Sequence, residues 1–317
     1  MKIIVPEFVL PALKQETCEL VKACDFVTVN REGVFSEDIA GAEILMLPWG
    51  LSDETLQTLL SVPTVQWIHS ISVGVDHAMN AELQTHPATL TNARGVFDIP
   101  IAETVLTYIL MVLKRMPDFL AQQRAHQWNK LSLREAGDQT VGLIGAGNIG
   151  TEIARRCQAL GMRVLATRRH PQQGAAFVDE LYSPEELEIL LAAADFVIIA
   201  VPLTEATRGM VGAAQLHAMK PTAWLVNIAR GAVVDEGALI QALREEWIAG
   251  AALDVFEQEP LPAESPLWDM SNVILTPHNT WSTPHLQERE AKLFLENLRR
   301  YLRDEPLHNI VDKQLGY

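Results

Sequence analysis

Side chains able to deliver a proton beside a polarised carbonyl stand in three separated segments of the sequence: Asn227-Ile-Ala-Arg-Gly231, Leu253-Asp-Val-Phe-Glu-Gln-Glu-Pro260 and Leu275-Thr-Pro-His278. They offer one guanidinium (Arg230), one carboxylate (Glu259) and one imidazole (His278). A 2-oxo acid needs this set: a planar cation to hold its carboxylate and polarise its carbonyl, a proton donor for the oxygen, and an anion that keeps the donor protonated. A histidine with an ordinary pKa of about 6.5 is mostly neutral near pH 7, and a neighbouring carboxylate favours its charged form. Glu259 is expected to act on His278 in this way. Taken singly, each residue type is more often structural; the three together, in this order, carry the reading.

A second constellation is the loop Gly145-Ala-Gly-Asn-Ile-Gly150. A G-x-G-x-x-G string alone is weak, because glycines gather in turns for many reasons. Its setting is specific, since it follows an apolar strand-like run, Val141 to Ile144, and opens a helical pattern through Ile153 and Ala154. Gly145 can then make the tight turn, Gly147 can admit a pyrophosphate to the backbone, and Gly150 can let helix and strand pack closely. Ala146, Asn148 and Ile149 complete a helix N-terminus whose N–H groups and dipole favour phosphate. After the next strand an NAD site usually carries an acid for the ribose 2′-hydroxyl, but here the run is Val164-Leu-Ala-Thr-Arg-Arg169. Arg168 falls about where the acid would stand, and with Arg169 and the Thr167 hydroxyl it could clamp a 2′-phosphate. NADP is therefore expected over NAD, with solvated loop arginines as the competing explanation.

These residues need strands to carry them. Short β-branched runs alternate with helical patterns along the chain, the signature of α/β layering around parallel sheets. The first series is expected at 2–5, 26–29, 42–47, 66–69 and 88–91. A helix from Ile99 to about Met116 follows, and then a second series at 140–144, 163–166, 196–200, 223–227, 249–253 and 273–276. A last amphipathic helix, about Leu286 to Arg303, can cross back onto the first unit. The expected fold is α/β with two Rossmann-like, doubly wound parallel-sheet domains and an interdomain cleft at the carboxyl ends of the strands.

With 317 residues, 48% hydrophobic and 21% charged, the composition is that of a folded globular protein. A formal net charge of -15 opposes attraction to nucleic acid or anionic lipid, so local cations must hold any anionic substrate. Cys18, Cys24 and Cys157 make an odd, irregularly spaced set without a disulfide framework or metal knuckle, which suits a reducing cytoplasm. Met1 to Pro6 reads as a first strand, not a leader, and no apolar run suits a membrane span. No metal is expected.

On Ser72-Val-Gly-Val-Asp-His77, Ile101-Ala-Glu103, Val141 to Gly150, Val201-Pro-Leu-Thr204, Asn227 to Gly231, Asp254 to Pro260 and Thr276-Pro-His278, the sequence resembles the D-isomer-specific 2-hydroxyacid dehydrogenases, within them the glyoxylate/hydroxypyruvate reductases. The resemblance implies that Arg230 binds and polarises substrate, His278 is the general acid/base and Glu259 tunes it. It places Asp254, Thr280, Val201, Pro202, Thr207, Ile228 and Ala229 along the dinucleotide. Backbone N–H groups at Val73 and Gly74 would take the substrate carboxylate. It also implies a discontinuous, flavodoxin-like substrate domain (1–98 and 285–317), a dinucleotide domain (99–284), a homodimer, and reduction of a small 2-oxo acid to the D-2-hydroxy acid.

After His278 the family often has a small, Gly-containing turn, whereas this chain has Asn279-Thr-Trp-Ser-Thr283. Trp281, and Trp49 in Pro48-Trp-Gly50, are therefore candidate substrate contacts, with packing as the competing role for both. Two other functions stay open at this stage. One is a nucleotide-sensing corepressor or scaffold of the same fold, although no long terminal extension offers a docking segment. The other is 3-phosphoglycerate dehydrogenase, although no cation near Trp49 or Val73 suits a substrate phosphate.

Overall fold

The computed structural model describes residues 1–15 and 19–317, so Cys18 lies outside the described residues. The chain divides into two compact units, residues 1–97 with 283–317 and residues 98–282. Among the described residues, no helix is long and apolar enough to cross a membrane.

The first unit is built on a five-stranded sheet in the order β2-β1-β3-β4-β5, with every neighbouring pair parallel. The strands are β1 (Lys2–Pro6), β2 (Asp25–Val29), β3 (Ala42–Leu47), β4 (Trp67–Ser70) and β5 (Thr89–Thr91). Continuous apolar runs such as Ile3-Ile-Val5 suit a sheet covered on both faces. Ile4, Leu45 and Ile68 join the core on one face, while Ile3, Val5, Ile44 and Trp67 join that on the other. The C-terminal helix Leu286–Leu302 supplies the second core with Phe294, Leu295 and Leu298. Phe294 stacks on Trp67 with ring centroids 5.0 Å apart. Beneath them His69 Nε2 and Glu290 Oε1 meet at 2.7 Å in the interior.

The second unit holds a seven-stranded sheet, also parallel throughout, in the order β12-β11-β10-β9-β6-β7-β8. Its strands are β6 (Thr140–Ile144), β7 (Arg163–Thr167), β8 (Glu180–Tyr182), β9 (Phe196–Ile199), β10 (Trp224–Asn227), β11 (Gly250–Leu253) and β12 (Val273–Leu275). This is the Rossmann order plus one strand, and its direction of winding reverses between β6 and β9, where such sheets bind ligands.

Two elements differ from expectation. Strand β8 is not apparent in the sequence, because it is a three-residue edge strand with an exposed Glu180 that pairs with Arg163 of β7. The helix expected from Ile99 to about Met116 is Asp98–Leu113, and a second helix, Met116–Arg124, follows a left-handed Arg115 at φ 50°. Pro117 explains the break, since a ring there would clash with the Leu113 carbonyl if the first helix ran on.

Candidate active site

The glycine loop leaves the carboxyl end of β6. Gly145 sits at φ 105°, and a Cβ there would fall 2.7 Å from the Ala200 carbonyl oxygen and 2.9 Å from the Val201 side chain. A Cβ at Gly150 would overlap the Gly145 carbonyl oxygen, so these two glycines are required by the fold itself. Gly147 is different. It is the N-cap of the helix Asn148–Ala159 at φ -82°, and a Cβ there would meet nothing within 4 Å. No side chain caps this helix, and its first N–H groups, at Asn148 and Ile149, have no carbonyl a turn earlier to bond. Open space at a glycine that folding does not need, over an uncapped helix N-terminus, suits a pyrophosphate lying against the backbone.

The end of β7 is tied to this loop by the Ala146 N–H, which donates to the Thr167 carbonyl at 3.1 Å. Thr167 is buried, Arg168 is half-buried and Arg169 is exposed. The Arg168 guanidinium bonds the Gly174 carbonyl and its N–H donates to the Tyr182 carbonyl at 3.0 Å, which holds it at the strand end. After β9, Val201 and Pro202 start a turn closed by Thr207, whose hydroxyl donates to the Pro202 carbonyl at 2.6 Å and accepts the Thr204 N–H at 2.8 Å.

Three strand ends present the proton-transfer residues. Asn227, the last residue of β10, is buried and bonds its own loop: its amide donates to the Arg230 carbonyl at 3.0 Å and accepts the Ala229 N–H at 3.1 Å. Ile228 and Ala229 are buried behind it. Arg230 thus projects from a fixed turn, with one guanidinium nitrogen 2.8 Å from the Ala229 carbonyl. A Cβ at Gly231 would overlap the Phe256 carbonyl, so only glycine lets this loop press on the one after β11.

That neighbouring loop carries Glu259. Its Oε1 accepts the Phe256 N–H at 3.0 Å and its Oε2 lies 2.6 Å from His278 Nδ1. Burial alone would raise the Glu259 pKa, but the bonds from His278 and the Phe256 N–H, with the nearby Arg230 charge, hold the carboxyl below its ordinary value. A carboxylate only accepts, so Nδ1 carries a proton and Nε2 is the ring atom left to exchange one. The His278 and Glu259 side chains are 39% and 35% exposed, open enough for a substrate to reach the ring.

His278 itself has φ 49°, a left-handed backbone that costs a non-glycine residue about 1–3 kcal/mol unless the surroundings impose it. Asp254 imposes it. Three successive N–H groups converge on this one residue: His278 on its carbonyl at 2.8 Å, Asn279 on Oδ1 at 2.9 Å and Thr280 on Oδ2 at 3.2 Å. The Thr276 and Thr280 hydroxyls add bonds at 2.5 and 2.6 Å. Asp254 and Thr280, both expected along the dinucleotide, are therefore buried and spend these groups on one another and on the histidine loop. The sequence reading missed this clamp, although D-V-F and T-P-H ending adjacent strands is the signal that points to it.

Trp281 donates its indole N–H to the His278 carbonyl at 2.7 Å. An apolar pocket of about 550 Å³ beside His278 is lined by Phe256, Leu261, Trp268 and Leu275 among others, and Trp281 is not one of its walls.

In the first unit, Trp49 is 40% exposed, with its ring 6.4 Å from that of Phe97. The turn at Val73 and Gly74 is fixed through its carbonyls: the Asn92 amide donates to Val73 O at 2.8 Å and the Ser72 hydroxyl to Gly74 O at 2.9 Å. Asn92, buried and also bonded to Asn309, escaped the sequence reading. Carbonyls tied inward leave the peptide N–H groups of this turn available to an anion.

The sequence profile of the D-isomer specific 2-hydroxyacid dehydrogenase NAD-binding domain matches residues 106–280. A glyoxylate reductase of Thermofilum pendens is 34% identical over 98% of this chain and 93% of its own length. A D-isomer specific 2-hydroxyacid dehydrogenase of Xanthobacter autotrophicus, solved with NADPH and MES, superposes with a TM-score of 0.89 at 30% identity, covering 100% of this chain and 99% of its own. An NADPH-dependent glyoxylate/hydroxypyruvate reductase of Sinorhizobium meliloti, solved with NADP and sulfate, gives 0.84 at 27% identity, over 100% and 99% of the two chains.

Proposed function

Since this chain belongs to the D-isomer-specific 2-hydroxyacid dehydrogenases, NAD(P)-dependent oxidoreductases, we propose that it reduces glyoxylate, hydroxypyruvate or a similar small 2-oxo acid, with His278 as the proton donor. The observation that carries this reading is the 2.6 Å pairing of His278 Nδ1 with Glu259, which leaves Nε2 to serve the substrate oxygen. Arg230 holds the substrate carboxylate and polarises the carbonyl. Glu259 keeps the ring oriented and offsets the positive charge it carries before the proton leaves. Gly145, Gly147 and Gly150 with the helix N-terminus hold the dinucleotide phosphates, which Val201, Pro202, Thr207, Ile228 and Ala229 flank. When bound, the reduced nicotinamide supplies the hydride.

We further assign NADP as the preferred cofactor, supported by Arg168 and Arg169 at the β7 end where no carboxylate stands. A cytoplasmic homodimer is the accompanying reading, its dimer supported by exposed apolar residues that a second copy would cover, above all Trp128 at 95% exposure. The corepressor and 3-phosphoglycerate readings are not favoured.

The test follows NADPH and NADH oxidation against glyoxylate, hydroxypyruvate, pyruvate and phenylpyruvate, with His278→Ala and Arg168→Ala beside wild type. The expected result is 2-oxo acid reduction that H278A lacks, and an R168A enzyme weakened toward NADPH but not NADH. Nucleotide binding without turnover of any 2-oxo acid would sink the enzyme reading.

A further inference from the structure

Tyr108, in the helix Asp98–Leu113, is 3% exposed and plays no part in the chemistry described so far. Its hydroxyl lies 2.5 Å from Thr276 Oγ1, which in turn lies 2.5 Å from Asp254 Oδ1. Proton counting gives the direction of both bonds. The Asp254 carboxylate only accepts, and the Thr276 hydroxyl has a single proton, which goes to Asp254. Tyr108 is therefore the donor to Thr276, and donation runs one way from Tyr108 through Thr276 to Asp254, each bond polarising the next.

The chain ends on the residue that gathers the N–H groups of His278, Asn279 and Thr280. Thr276 also grips the loop directly, because its N–H donates to the Leu253 carbonyl at 3.0 Å and its own carbonyl takes the His278 N–H at 3.1 Å. We propose that Tyr108 is a positioning residue for His278: through Thr276 and Asp254 it holds the left-handed turn from which the imidazole projects, and so governs proton delivery to the substrate oxygen. The inference rests on His278 as the proton donor. It adds a tyrosine 168 residues before Thr276 in sequence, on a helix that carries none of the other site residues.

The experiment is a cycle of Tyr108→Phe, Thr276→Val and the double variant, with Thr276→Ser as rescue. It reads kcat, the 2-oxo acid KM, nucleotide Kd by fluorescence, and the solvent deuterium isotope effect on kcat. Y108F is expected to lose about tenfold in kcat, because small displacements of a proton donor cost rate steeply, with nucleotide Kd unchanged. The isotope effect should rise as proton delivery becomes limiting. T276V should fall at least as far, T276S should stay near wild type, and the double variant should be no slower than T276V, since both changes break one chain. Wild-type kcat in Y108F, losses that multiply in the double variant, or a fall explained by weaker nucleotide binding overturns the proposal. If Y108F does not fold, the contrast of T276V with T276S decides alone: equal kcat in the two overturns it. An H278A enzyme with full kcat would overturn the catalytic reading instead.

Discussion

The Nδ1 atom of His278 and the Oε2 atom of Glu259 stand 2.6 Å apart, while the other oxygen of that carboxylate is fixed by the Phe256 N–H at 3.0 Å. The acid is thus anchored from behind and the imidazole can turn only with it. Glu259→Gln keeps the shape and removes the charge that faces a protonated ring, so kcat/KM for reduction should fall about tenfold or more. Steady-state kinetics checks this, and wild-type kcat/KM in E259Q refutes the pairing as a functional contact.

The same carboxylate has a stability consequence with a definite sign. Its value in the fold lies below its ordinary 4.5, so its ionised form adds stability above that pH and loses it as pH falls through the folded value. The pair is about a third exposed, so the effect is small. Acid unfolding followed by circular dichroism should be slightly less steep below pH 4.5 in E259Q than in wild type, and an equal slope counts against it.

Gly147 and Gly150 look alike in sequence and should separate in experiment. A Cβ at Gly150 overlaps the Gly145 carbonyl oxygen, whereas one at Gly147 meets nothing within 4 Å. Gly150→Ala should therefore lower thermal stability, by about 1–3 kcal/mol on the usual cost of overpacking. Gly147→Ala should melt like wild type but bind NADPH at least about tenfold more weakly, a loss of about 1.4 kcal/mol. Calorimetry with fluorescence titration distinguishes them; normal nucleotide affinity in G147A would remove the phosphate from this loop.

The sequence made the strands visible because a parallel sheet covered on both faces demands unbroken apolar runs, and Phe196–Ile199 is one. Arg230, Glu259 and His278 were legible for a related reason, since each follows such a run. The Asp254 clamp was harder to read. An aspartate after a strand has the same appearance whether it faces a ligand or a neighbouring loop, and its partners lie 22 to 26 residues downstream. Tyr108 was invisible, because its hydroxyl sits on a mostly apolar helix and its partner is 168 residues away. Strand β8 was lost to the opposite effect, as three residues at the sheet edge, none of them fully buried, make too short a pattern to read.

Gly231 joins two active loops by backbone contact alone. A Cβ there overlaps the Phe256 carbonyl, three residues before Glu259. Gly231→Ala must push Arg230 and Glu259 apart, so kcat/KM should fall about a hundredfold or more, as misplacement near the chemistry does. Steady-state kinetics beside a melting curve checks this, and activity within twofold of wild type would show that the loops yield freely.

Tyr108 supplies a prediction at the opposite end of the pH scale. Burial lifts its hydroxyl to about 12 from an ordinary 10.0, and the Asp254 charge adds to the rise. A folded value above the unfolded one means that the neutral hydroxyl contributes stability fully below about pH 10, and that this is lost as pH rises toward 12. Wild type should accordingly lose stability over that window, and Tyr108→Phe, which has nothing to ionise there, should show a flatter alkaline limb from a lower starting point. Urea midpoints taken between pH 8 and pH 12 read the difference directly. Parallel limbs in the two proteins would mean that the phenol ionises in the fold as readily as in the open chain, and that it is not buried in solution.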